Sequence, residues 1–185
     1  MGQPLCLLRV LTVARVGAAG MFVLGFALGN PITGAIADTK TEKSFGGWTV
    51  TCIEPDKGVK NCSMIQSLAA VNKQTNQKRV VMRWAISDTK SHEQTQSVVV
   101  PTGVSIKEGI RLFLGDAQPI VIAYDFCGPR VCIGSSSLDA KLIGALKTSK
   151  KASASYVLGS KQLVQVPLDL TGFAEAYEYL VQQLA

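Results

Sequence analysis

The chain has 185 residues, 47% of them hydrophobic, 6% aromatic and 17% charged, with a formal net charge of +6 at pH 7. A single histidine among them leaves little for histidine-based catalysis or a histidine-rich metal site. Residues 38–185 make one domain of ordinary size, able to bury a core without help from a metal, and a second domain is not expected.

The N-terminus carries Arg9 and Arg15 and no acid, followed by an uncharged run over residues 16–29. That is the positive and then apolar pattern of a secretory leader, and Ala35-Ile36-Ala37 supplies the small-x-small site at which such leaders are cut. Residues 1–37 are therefore read as a signal peptide cleaved after Ala37, leaving a periplasmic or secreted chain that starts at Asp38. A retained transmembrane anchor is the competing reading, since the uncharged stretch 16–37 approaches the roughly 20 residues a membrane span needs. The Asn30-Pro31 step and the glycines count against it. Cleavage removes two of the 19 basic residues and none of the 13 acidic ones, leaving 17 against 13 and a net charge of +4.

Cys6 falls in the leader, so four cysteines remain: Cys52, Cys62, Cys127 and Cys132. An even set in an exported chain reads as disulfides. Three connectivities exist on paper, and the two local ones, Cys52–Cys62 and Cys127–Cys132, are preferred. Their short loops hold turn formers, Pro55 to Gly58 in the first and Gly128-Pro129 in the second. A zinc site or a redox-active pair at Cys127 and Cys132 fits the spacings poorly, because neither C-x-x-C nor a nearby histidine is present.

From Trp48 onward period two dominates. Trp48, Val50 and Cys52 alternate with threonines, and Val80, Met82, Trp84 and Ile86 alternate with Arg79, Val81, Arg83 and Ala85, as half-buried strands do. Further strands are expected over residues 62–71, 97–100, 110–114, 120–126, 153–158 and 163–170. Pro101-Thr102-Gly103 suits a type I turn, Lys107-Glu108-Gly109 a three-residue hairpin loop, and Gly115-Asp116 a reversal. Two segments switch to helical period. Residues 138–146 have Ser137 as candidate N-cap, and residues 173–184 carry Phe173, Tyr177, Leu180, Val181 and Leu184 on one face. Many short strands separated by turn chemistry point to a sandwich or barrel.

The residues show no catalytic constellation. His92 sits in a polar run, and no serine is framed as a nucleophile elbow. No phosphate loop, dinucleotide fingerprint or calcium loop occurs. Catalytic, cofactor and metal residues are accordingly not assigned, and the protein is not expected to be an enzyme. Lys147, Lys150, Lys151 and Lys161 form a candidate basic patch for anionic lipid, glycan or polyanion, against the plainer reading of a solvated loop. No aromatic residue interleaves with Lys147, Lys150 and Lys151 as a nucleic-acid platform requires, so no nucleic-acid partner is expected.

The order of motifs resembles the bacterial invasion-associated locus B family. The residues that carry the likeness are Phe45-Gly46-Gly47-Trp48-Thr49-Val50-Thr51-Cys52, Cys62-Ser63-Met64-Ile65-Gln66, Pro101-Thr102-Gly103-Val104 with Gly109-Ile110-Arg111-Leu112, Cys127 with Val131-Cys132, and Leu168-Asp169-Leu170-Thr171-Gly172-Phe173. Thr102 stands where members often carry an aliphatic residue. The resemblance implies an all-β fold, an immunoglobulin-like β-sandwich with one short internal helix and a C-terminal amphipathic helix, in an exported envelope protein. It carries over no catalytic residue. The expected function is a non-enzymatic module that binds another protein or an envelope component and supports host-cell interaction. The alternative is an envelope redox or stress protein with a cycling Cys127–Cys132 bridge. Membrane attachment is expected only through an uncleaved leader.

Overall fold

The computed structural model describes residues 39–55, 58–71, 74–88 and 93–184. The leader with its cleavage site, Cys6 and His92 lie outside the described residues. Among the described residues eleven strands form two antiparallel sheets: β1 (Thr39–Phe45), β2 (Trp48–Glu54), β3 (Asn61–Val71), β4 (Lys78–Asp88), β5 (Thr95–Pro101), β6 (Ile110–Leu114), β7 (Ile120–Ile122), β8 (Tyr124–Cys127), β9 (Val131–Ser137), β10 (Ala152–Val157) and β11 (Leu163–Leu168). The larger sheet runs β1-β2-β3-β4-β5-β9-β8 and the smaller β11-β10-β6-β7. Helices α1 (Ala140–Thr148) and α2 (Phe173–Gln182) complete the all-β sandwich, with α2 packed on β1, β2 and β3.

The period-two runs bury as their alternation requires: Trp48, Val50 and Cys52 on β2, Met64 and Gln66 on β3, and Met82, Trp84 and Ile86 on β4 all face the core. Opposite them lie Ile110, Leu112, Ala154, Tyr156, Val166 and Leu168 of the smaller sheet. Trp48 sits edge-on to Trp84, with ring centroids 5.2 Å apart, and edge-on to Phe173 of α2 at 5.3 Å. Both indoles are satisfied, as buried Trp N–H groups need to be. Trp48 donates to the Asp169 carbonyl at 3.0 Å and Trp84 to Gln96 Oε1 at 3.1 Å.

Several local expectations are corrected. Val80 does not share the buried face of Met82, because a β-bulge opposite Leu68 and Ala69 takes Val81 out of register and leaves Val80 50% exposed. The run 120–126 is two strands. The chain leaves the smaller sheet after Ile122 and enters the larger at Tyr124, passing over Gly134, where a Cβ would collide with the Ala123 carbonyl. Strands β1 and β9 were not expected. The first is an exposed edge strand whose polar sequence has no apolar alternation, and the second dissolves into glycine and serine. Gly109 has the expected positive φ of 63°, yet it closes a 3-10 turn (Ile106–Glu108) and not a hairpin loop. The preceding chain forms the isolated bridge Val104↔Leu158. The N-cap of α1 is Asp139, whose carboxylate accepts from the Leu142 N–H at 2.7 Å, while Ser137 ends β9.

Candidate functional site

Both expected disulfides form, and each joins residues directly opposite on adjacent antiparallel strands. Cys52 faces Cys62 across β2 and β3, with Cα atoms 4.1 Å apart, and Cys127 faces Cys132 across β8 and β9 at 4.0 Å. Each bridge is asymmetric or deep: Cys132 is buried while Cys127 is exposed, and Cys52 and Cys62 are both buried. The second bridge clamps the tight turn that carries Arg130. Gly128 N–H donates to the Val131 carbonyl at 2.8 Å, and Thr102 N–H donates to the Arg130 carbonyl at 3.2 Å.

That turn forms one wall of a cleft of about 340 Å³. The opposite wall is β4. Strands β4 and β5 pair from Ser87↔Thr95 to Arg83↔Val99 and then separate. The bulge at Val81 breaks the register on one side, and on the other β5 ends in Pro101, which lacks the N–H a ladder needs. Arg79, Arg83 and Arg130 line the opening, with Val80, Val99 and Val131 between them and no acidic side chain in the lining. None of the three guanidinium groups has an ion pair or side-chain hydrogen bond among the described residues. Beneath the cleft Tyr156 Oη donates to the Val81 carbonyl at 3.1 Å. Burial pushes the Tyr156 pKa up, and the nearby Arg79 charge opposes that shift. Tyr124, coupled to Tyr156, is pushed up to about 12, first by burial and then by that neighbour.

A second recess of about 550 Å³ lies between α1, the β6–β7 turn and the end of β9. Its floor is apolar, from Leu114, Ile120, Leu142 and Ala145, but its rim mixes Lys141 with Asp139, whose carboxylate already caps α1. Its charges select no ligand sign.

The expected lysine patch is not one surface. Lys147 is occupied by Glu178 at 3.4 Å and lies over the Tyr177 ring at 4.8 Å. Lys150 and Lys151 precede β10, whereas Lys161 sits in the turn after it. The six-residue strand between them spans roughly 20 Å. The arginine cleft leaves no sign in the sequence, because Arg79 and Arg83 read as ordinary outward residues of an alternating strand and Arg130 lies 47 positions beyond Arg83.

Three of the motifs quoted for the resemblance, those around Trp48, Gln66 and Asp169, meet in space. Gln66 donates to the Asp169 carbonyl and accepts from the Asp169 N–H at 3.3 Å, beside the Trp48 indole bonded to the same carbonyl. The turn at Gly46 packs against the turn at Gly172. The Asp169 carboxyl is held below its ordinary pKa by hydrogen bonds from the Thr171 side chain and backbone. These residues build the frame.

The model of the Invasion associated locus B (IalB) protein family matches residues 48–181. Two proteins named invasion protein B homolog, from Brucella abortus strain 2308 and from Brucella abortus biovar 1 strain 9-941, are each 25% identical over 138 residues, covering 74% of this chain and 77% of the homolog. The crystal structure of invasion associated protein B from Bartonella henselae matches with a TM-score of 0.63 at 23% identity, covering 77% of this chain and 96% of that one. At that identity the match speaks for the fold, and it agrees with the two-sheet sandwich. With the family match running from Trp48 of β2 through most of α2, the chain belongs to the invasion associated locus B protein family.

Proposed function

We propose that the protein is an exported, non-enzymatic binding module of the bacterial envelope that engages another protein or an envelope component during host-cell interaction. The observation that carries this reading is the cleft whose three arginines have no ion pair or side-chain hydrogen bond among the described residues, set on a sheet that the Cys127–Cys132 bridge holds in shape. Charged groups left unpaired around a concave apolar surface are disposed for recognition from outside. Paired cysteines fit an oxidising compartment, and the invasion protein names of the relatives direct the reading to the host. Osmotic-shock fractionation with N-terminal sequencing tests export, and binding of the purified protein to envelope extracts and host-cell surfaces tests recognition. Cytoplasmic retention, or the lack of any reproducible partner, would count against the proposal.

A second reading, a cycling Cys127–Cys132 bridge, draws on the exposure of Cys127. Titration against glutathione separates the two, since a potential below about −300 mV marks a structural disulfide.

A further inference from the structure

Residues 78–82 of β4 pair with β3 on one side and with no described strand on the other. We propose that this free edge, flanked by Arg79, Arg83 and Arg130, receives an extended acidic segment of a partner protein as an added strand. The inference rests on the reading of the chain as a binding module and specifies where contact is made and with what chemistry.

The pleat argues for a strand over a single anion or a membrane. Arg83 pairs with Ser67 and belongs to the outer face of the sheet. The Val81 bulge resets the alternation, so that Val80, paired with Ala69, faces outward and Arg79, paired with Ala70, lies on the inner side toward Tyr156. A strand lying in the plane of the sheet sends successive side chains to opposite faces. Acidic residues on both faces of such a segment each meet a guanidinium, with Arg130 contributed from the far wall. A bilayer surface or a free phosphate reaches one face only.

Charge also selects among strands. The same edge of a second copy would set Lys78, Arg79 and Arg83 against their own likeness, a repulsion that exposed sheet edges use to prevent self-association. An acidic segment reverses that sign, and Val80 and Val131, exposed by 50% and 37%, are available to its apolar residues. Because Tyr156 already occupies the Val81 carbonyl, main-chain pairing falls to the other residues of the segment. A volume of about 340 Å³ suits a short insertion.

The test is fluorescence anisotropy of the purified protein with a short Val-Asp-Asp-Val peptide, whose adjacent aspartates fall on opposite faces of a strand, and its Val-Lys-Lys-Val counterpart, at low and physiological ionic strength. The acidic peptide is expected to bind, more weakly as salt rises, and the basic one not to bind. Arg79→Glu and Arg83→Glu should each reduce affinity about tenfold or more. Arg83→Gln should lose less, with circular dichroism confirming that each variant keeps its fold. Bound peptide should slow hydrogen exchange of backbone amides in residues 78–82. Equal binding of both peptides, indifference to the reversals, or protection elsewhere overturns the proposal. So does arginine-dependent binding to phosphatidylglycerol vesicles in place of the peptide, which would make the surface a membrane contact. Host-cell binding that survives in the doubly reversed protein sinks the cleft assignment alone and leaves the broader function standing.

Discussion

Gly46 and Gly172 face each other across the junction of the β1–β2 turn and the start of α2, with φ of 55° and 79°. A Cβ on either would strike the other turn's backbone carbonyl, of Thr171 or of Phe45. Gly172→Ala should therefore cost about 2 kcal/mol or more, through left-handed strain and collision together. Gly144→Ala, mid-helix with open space around its Cβ position, should instead stabilise by about 1 kcal/mol. Urea denaturation of the two variants checks both signs. Tyr124 makes a different prediction. Its hydroxyl is buried with no hydrogen-bond partner among the described residues, and its pKa rises from 10.0 to about 12. The folded state thus holds the phenolic proton more tightly than the unfolded chain does. That contribution is complete below pH 10 and is lost as pH climbs through about 12. Tyr156 and Tyr177 shift in the same direction. Stability should fall over this window, followed by tyrosinate absorbance, and Tyr124→Phe should flatten the fall without destabilising the protein at neutral pH.

Among the elements, the two bridges differ in leverage because they close loops of different length. In the chain-entropy picture the separation of 10 residues at Cys52–Cys62 is worth about 3 kcal/mol, and that of 5 at Cys127–Cys132 about 2 kcal/mol. Paired alanine replacements should reproduce that order in thermal unfolding. Only loss of the second pair should also weaken acidic-peptide binding, since it frees the turn that carries Arg130. Helix α2 holds its place mainly through Phe173, fully packed against Trp48, and Phe173→Ala should cost about 3–5 kcal/mol in the same measurement. Both helices and most strands were legible because each buries one face at its own period. Strands β1 and β9 were not, since an edge strand and a Gly-Ser strand take their conformation from their neighbours' hydrogen bonds. Their own side chains record little of it.

For the whole molecule, export remains the proposal with the most direct check: the mass of the protein recovered from the envelope should correspond to a chain beginning at Asp38. A mass that retains residues 1–37 would return the anchor reading. Among the described residues no helix is long and apolar enough to cross a membrane. By itself the sequence pointed to a sandwich or barrel, favoured the local pairing of the cysteines and placed Trp48, Trp84, Met82 and Ile86 inside, with the family resemblance narrowing the class to a sandwich. Hydrophobic period, loop length and turn chemistry are local quantities that a chain carries before it folds. Only the tertiary structure decided that Trp48 and Gln66 converge on Asp169, that Lys161 stands apart from Lys150 and Lys151, and that Arg79, Arg83 and Arg130 surround one cleft. Those outcomes depend on strand register, on a single bulge at Val81 and on where β4 parts from β5, and such non-local pairings leave no periodic trace in the sequence.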